Sequence, residues 1–242
     1  MLSVLINTNL LRACLLNDIK KYFFSSSACV YNASKQEKIF IPGLKEEDAY
    51  PAQPEDGYGW EKLFSERMCR HFTEDFKLAT SVARYHNIFG PLGTFDGGRE
   101  KAPAALCRKI IEAKINKKVE IDVWGDGEQT RSFLFIDDCL NGTFDLFKSD
   151  YHEPLNIGSE EQVSINQMIS IIEEIASYKV RKNYQLDKPL GVRGRSSDNR
   201  LVNKKLDWSP KLNLKQGLEL TYSWIYDQIN SGSNIDKFTR SY

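Results

Sequence analysis

The sequence lacks the marks of a membrane, secreted or nucleic-acid-binding protein. No apolar run approaches the ~20 residues that span a bilayer. Basic and acidic side chains balance at 33 each, so no net field invites a polyanion. The five cysteines, at positions 14, 29, 69, 107 and 139, are odd in number, scattered and nowhere paired as Cys-x-x-Cys. That pattern argues against a disulfide framework and a structural zinc, and implies a reducing, cytoplasmic compartment. Histidine is scarce, at three residues, and no His/Cys/Asp group has ligand spacing, so no metal is expected. His71 and His152 read as ordinary surface side chains. There is no internal repeat, no low-complexity tract and no G-x-x-G-x-x-G turn.

What is present is the pattern of a globular α/β chain, long enough for one large domain or one and a half smaller ones. The amphipathic stretch 7–17 reads as a helix of the fold, not as a targeting segment. The spacing predicts strands over 19–25, 79–84, 119–124, 131–136 and 155–157. Helices are expected over 58–75, 103–113, from Asp137 as a capped start, from Ser164 to Ala176, and over 214–229. Residues 31–57 read as a long polar covering loop, 86–102 as a glycine-studded loop, and 190–198 as a loop rich in Arg and Gly. The run 231–234 reads as a frayed end. Strands alternating with helices argue for a parallel sheet, with the later short strands forming a smaller facing lobe.

The chain is organised around Tyr58-Gly-Trp-Glu-Lys62, which follows Ser25-Ser-Ser-Ala-Cys-Val-Tyr31. A tyrosine and a lysine four apart share one helix face. The ammonium is expected to lower a phenol pKa that starts near ~10, making a base able to act near neutral pH. A nearby serine could hold a substrate oxygen beside the tyrosine. Phe64, Met68 and Phe72 lie at helical spacing and suit either a core face or a subunit interface.

Five segments together resemble the extended short-chain dehydrogenase/reductase superfamily: Asn9 to Ala13, Ser25 to Tyr31, Tyr58 to Lys62, Arg84 to Pro91, and Gly125 to Phe133. The last departs from that family's usual strand motif by having Ser132 where many members carry an acid. Cys29, the run Gly97 to Pro103 and the run Gly191 to Asn199 are similar, within that superfamily, to the GDP-mannose 3,5-epimerases. The resemblance implies a Rossmann sheet holding NAD and a C-terminal lobe holding a nucleotide sugar. It places the remaining Rossmann part at 1–100, with 131–158 contributing, and the sugar-nucleotide lobe mainly at 101–242. It also implies a homodimer built on the Tyr-x-x-x-Lys helix.

The implied reaction converts GDP-mannose to GDP-L-galactose through a 4-keto sugar. Tyr58, with Lys62 and Ser27, takes the C4 hydroxyl proton. Cys29 and Lys101 then remove and return protons at C3 and C5. The cofactor is NAD, with Tyr58, Lys62 and Tyr85 at its nicotinamide end; His86 is expected beside them. Ser27, Ala28, Cys29, Asn87, Glu100, Lys101, Ala102, Gln129 and Thr130 are implied to contact sugar or diphosphate. Lys109, Arg131 and Arg195 supply cations for the diphosphate.

Two other readings stand beside this one. A simple 4-epimerase needs no acid–base pair, and a 4,6-dehydratase would want a carboxylate at position 29. A non-catalytic sugar-nucleotide-binding remnant is the third, because the family's glycine-rich phosphate turn is missing along with about three strands of six. On that comparison the chain is expected to be the C-terminal part of such an enzyme, with little or no turnover by itself. An exposed strand edge is expected at 19–25.

Overall fold

A computed structural model describes residues 2–188 and 191–231. Helix α1 (Leu2–Leu16) leads into strand β1 (Lys21–Ser27), then α2 (Gly57–Phe76) and β2 (Ala79–Tyr85). Next come β3 (Ile88–Phe89), α3 (Ala102–Ile115), β4 (Glu120–Trp124), β5 (Thr130–Ser132), β6 (Leu134–Phe135) and α4 (Ile136–Lys148). The chain continues through β7 (Leu155–Ile157), β8 (Gln162–Ser164), α5 (Ile165–Ala176), β9 (Arg181–Gln185), β10 (Gly194–Arg195), α6 (Arg200–Leu206) and α7 (Leu214–Asn230).

The main sheet is parallel, in the order β1-β2-β7. Helix α2 makes the crossover from β1 to β2. It packs with α1 on one face, where Leu11, Phe24, Cys69, Leu78 and Val82 form a buried cluster. Helix α4 lies on the other face, where Ala83, Cys139, Leu146, Leu155 and Ile157 are buried. The chain is thus an α/β protein with a partial Rossmann sheet. A second, larger core joins α3, α5 and α7 to β4 around Ile110, Ile111, Met168, Ile172 and Leu218. Between the two cores run three short sheets: β10-β5-β8, β3-β6 and β4-β9.

Several boundaries differ from expectation. The strand expected over 131–136 is split, because β5 pairs with β8 and β10 whereas β6 pairs with β3. Asp137 does not cap α4: the cap position is Phe135, and Asp138 instead accepts from the backbone N–H groups of Lys211 and Leu212 at 3.0 Å. The polar loop after Tyr31 is more ordered than its composition suggests. It contains 3₁₀ turns at Ala33–Gln36 and Glu46–Ala49, and it buries Leu44 and Ala49 against Leu63 of α2. Strands β8, β9 and β10 and helix α6 were not expected, since pieces of two to seven residues leave no periodicity to read. Phe64 is 48% exposed, whereas Met68 and Phe72 turn into the core beneath α1. Leu190 and the run after Ser231 lie outside the described residues.

Candidate active site

Strand β1 delivers Ser27 to the C-terminal edge of the sheet. There it caps the 3₁₀ turn Ala28–Val30, its Oγ accepting from the Cys29 N–H at 3.2 Å. Helix α2 begins beside this turn, capped by Asp56 Oδ1, which accepts from Gly59 N–H at 2.8 Å. A Cβ on Gly59 would lie 2.3 Å from the Cys29 carbonyl oxygen. Only glycine lets the helix come this close. The Tyr58 phenol is thereby brought close enough to the Ser27 side chain to feel it. Lys62, one turn on, donates to the Ser25 carbonyl at 2.6 Å, and its ammonium sits 5.5 Å from the Tyr58 ring centroid.

The electrostatics differ from the expectation that Lys62 makes Tyr58 acidic. Partial burial pushes the Tyr58 phenol above its ordinary pKa; the Ser27 side chain pulls the other way, and Cys29 and Asp56 add to the rise. The Lys62 ammonium is committed to the Ser25 carbonyl, and burial holds its own pKa below the usual lysine value. Tyr58 is therefore a protonated phenol here.

Cys29 lies against a second set of groups. Arg195 Nη1 points at its Sγ from 3.5 Å. Arg195 is buried, donates through Nε to Gln36 Oε1 at 2.6 Å, and places Nη2 3.8 Å from Glu55. Strand pairing sets Arg131 directly beside it, since β10 and β5 align Arg195 with Arg131. Arg131 donates to the carbonyls of Thr130 at 2.7 Å and Val192 at 2.6 Å. Burial first, then the like charge of Arg195, brings its pKa down to about 10. Arg195 Nη2 is buried without a hydrogen-bond acceptor. Two adjacent guanidiniums, one with an unused donor, fit a polyanion such as a diphosphate.

The other expected residues are distributed unevenly. Ala28 is buried in the turn that carries Cys29. Lys101 stands exposed at the cap of α3, and no hydrogen bond, ion pair or electrostatic interaction joins it to Cys29 or Tyr58 among the described residues. Glu100 is held by Arg108 at 3.3 Å and by Gly98 N–H at 2.7 Å. Ala102 packs against the core beneath α3. Lys109 donates to the Asp122 carbonyl at 2.7 Å, and burial lowers its pKa. Asn87 donates to the Ser132 carbonyl at 2.9 Å.

Gln129 and Thr130 are buried, Gln129 donating to the Trp124 carbonyl and Thr130 to that of Ile39. Tyr85 aligns with Ser27 across the sheet, but its hydroxyl is shared with Thr143 at 2.7 Å. His86 is fully buried and does not line an opening; its Nε2 meets Asn156 Oδ1 at 2.9 Å. His152 is no free surface group, because its Nδ1 lies 3.0 Å from the Thr80 carbonyl oxygen. A cavity of about 490 Å³, lined by Glu160, Asn199 and Lys211 among others, contains none of these groups. The converging donors mark the site better than concavity does.

Two participants escaped the sequence reading. Glu66 follows Tyr58 and Lys62 at the same four-residue spacing, is buried, and binds Arg84 through two bonds of 2.9 and 2.7 Å. A carboxylate continuing that stripe was the available signal. Asn156 carried none, since its partners come from four distant segments.

A parallel sheet whose strand ends meet a Ser…Tyr-x-x-x-Lys group, facing a lobe that presents arginines, defines the short-chain dehydrogenase/reductase class. Within it, the chain belongs to the NAD dependent epimerase/dehydratase family, which matches residues 2–158. It is 45% identical over 243 residues to a GDP-mannose 3,5-epimerase of Arabidopsis thaliana, covering 99% of this chain and 63% of that protein. It is 48% identical over 227 residues to GDP-mannose 3,5-epimerase 1 of Oryza sativa subsp. indica, covering 94% and 58%. The chain thus spans about 58 to 63% of the length of these relatives. Among solved structures, UDP-glucuronic acid 4-epimerase from Bacillus cereus, in complex with UDP-glucuronic acid and NAD, superposes with TM-score 0.78 at 28% identity, over 94% of this chain and 68% of that one. UDP-glucose 4-epimerase from Thermotoga maritima superposes with TM-score 0.81 at 24% identity, over 92% and 69%, and shows the fold.

Proposed function

We propose that this chain carries the proton-transfer and diphosphate-binding groups of a cytoplasmic, homodimeric GDP-mannose 3,5-epimerase that forms GDP-L-galactose. The observation that carries the reading is the gathering of Tyr58 and Lys62 at the Ser27 end of β1, with Cys29 two residues on and facing Arg195. The curated relatives support the choice of sugar nucleotide.

The residues fit the nicotinamide-ribose end of NAD. Lys62 has committed one of its three donors, to Ser25, and Tyr58 is half-exposed beside it. Tyr58 and Lys62 would hold that end, with Tyr85 across the sheet. The described residues contain no glycine-rich strand-to-helix turn to clamp a pyrophosphate. NAD, when bound, takes up and returns the hydride at C4 of the sugar. The chain's own part is to move protons. Ser27 holds the C4 oxygen, and Tyr58, in the phenolate form that a cationic nicotinamide beside it would favour, accepts the C4 hydroxyl proton as the carbon becomes a ketone. The ketone acidifies the neighbouring C–H bonds, and Cys29 exchanges the proton on one face. Lys101 serves the other face, which requires the 93–101 loop to fold inward from its exposed position. Arg131 and Arg195 bind the diphosphate, with Lys109 on the flank.

The exposure of Lys101, with no bond to Cys29 among the described residues, favours one alternative, simple inversion at C4, which needs no such pair. Calorimetric titration with GDP-mannose tests the primary reading. Saturable binding that Arg195→Gln weakens about tenfold is expected for a direct diphosphate contact. Failure to bind, or undiminished binding by the variant, rejects it.

A further inference from the structure

The contact between Cys29 and Arg195 joins two segments 166 positions apart, and one buried side chain anchors both. Asn156, in β7, is fully buried. Its Oδ1 accepts from the Tyr31 hydroxyl at 2.5 Å and from His86 Nε2 at 2.9 Å. Its Nδ2 donates to the carbonyls of Leu44 at 2.8 Å and Asp198 at 3.2 Å. Its backbone N–H donates to Glu46 Oε1 at 2.9 Å. A side-chain amide offers two donors and one oxygen with two lone pairs, and here every site is used. The two carbonyl partners identify the nitrogen, so His86 donates through Nε2, and burial keeps the ring neutral.

Each partner leads to the site. Tyr31 closes the 3₁₀ turn that carries Cys29, and its buried ring lies 5.1 Å from the Arg84 guanidinium. Asp198 lies three residues after Arg195 on the same segment, and Leu44 bridges to Ser197 between them. There is no slack in this packing: a Cβ on Gly43 would fall 2.5 Å from the Ser197 carbonyl oxygen, and one on Gly158 would fall 2.7 Å from Ser197 Cβ. Arg195 from β10 touches Cys29, and Arg131 from β5 and Tyr58 and Lys62 from α2 lie within electrostatic range of it.

We propose that Asn156 is a positioning residue that sets the distance between the Cys29 thiol and the Arg195 guanidinium by tying the segments of both to one amide. Its catalytic meaning rests on the role given to Cys29 above, but its test needs neither substrate nor cofactor. The rate of iodoacetamide alkylation is measured at each cysteine by peptide mass mapping. Arg195→Gln is expected to slow Cys29 about tenfold, because the guanidinium 3.5 Å away makes the sulfur a more reactive nucleophile. Tyr31→Phe, which removes one hydroxyl, and Asn156→Asp, which keeps the acceptor and removes both donors, should each slow Cys29 similarly. Adding Arg195→Gln to either should then change the rate less than about twofold, the non-additivity of coupled sites.

A merely structural role would move the readout the other way, speeding alkylation of Cys29 together with the buried Cys69, Cys107 and Cys139. That result overturns the proposal. So does a full tenfold effect of Arg195→Gln persisting in both backgrounds, or no effect in the parent chain. If Asn156→Asp does not fold, Tyr31→Phe decides alone.

Discussion

At the scale of single residues, the informative contrast is between Tyr58 and Cys29. Tyr58 has the geometry of a catalytic base without its ionisation. In the chain alone it is expected to titrate above the ~10 of a free phenol, because burial outweighs the pull of the Ser27 side chain. Ultraviolet titration of tyrosinate, compared with Tyr58→Phe, checks this; loss of a phenol that ionises below pH 10 would contradict it. Cys29 has its cation in place without any cofactor. Under the function proposed above, Cys29→Ser should reduce deuterium incorporation from heavy water at C3 and C5 by about 100-fold relative to whatever turnover the parent chain shows, the usual worth of a positioned proton carrier. GDP-mannose binding should persist. Equal incorporation by the variant would remove Cys29 from the chemistry.

At the scale of elements, the approach of α2 to the Cys29 turn matters most. Gly59→Ala puts a methyl group 2.3 Å from a backbone carbonyl oxygen, which has no flexible end to yield. The helix must retreat, taking Tyr58 from Ser27, at a cost of about 1–3 kcal/mol. A fall in thermal midpoint together with shifted Tyr58 ring resonances by NMR is the expected result. The same helix is fixed further along by Glu66, which also accepts from Ser26 at 2.5 Å. Burial works against the charge on Arg84, but Glu66 and Tyr31 outweigh it and keep the guanidinium ionised.

For the molecule as a whole, stability should fall in acid through His86. Burial, reinforced by Arg195 and Arg84 and only partly offset by Asn156, holds its pKa at about 3, against an ordinary 6.5. A depressed folded-state pKa means the contribution is complete above pH 6.5 and is lost as pH falls towards 3. The span corresponds to on the order of 4 kcal/mol. Urea midpoints across that range should decline more steeply in the parent than in His86→Gln. Association should depend on α2, where Trp60 and Phe64 are half-exposed while Met68 and Phe72 are partly buried against the core under α1. Phe64→Glu is expected to convert a dimer to a monomer in light scattering; an unchanged mass would move the interface elsewhere.

What the sequence determined by itself was local. The Tyr58–Lys62 spacing, the serines ending β1, the Ser164 helix cap and the parallel α/β pattern are set within a few turns of chain, where helix and strand periods act directly. The 3₁₀ turns of the loop after Tyr31 and the two-residue strands were illegible, because their order comes from distant partners. Only the tertiary structure decided that Arg195 meets Cys29, that Asn156 holds them together, that Tyr58 stays protonated and that Lys101 stands apart. Burial and long-range hydrogen bonds govern each of these, and neither is a property of neighbouring residues along the chain.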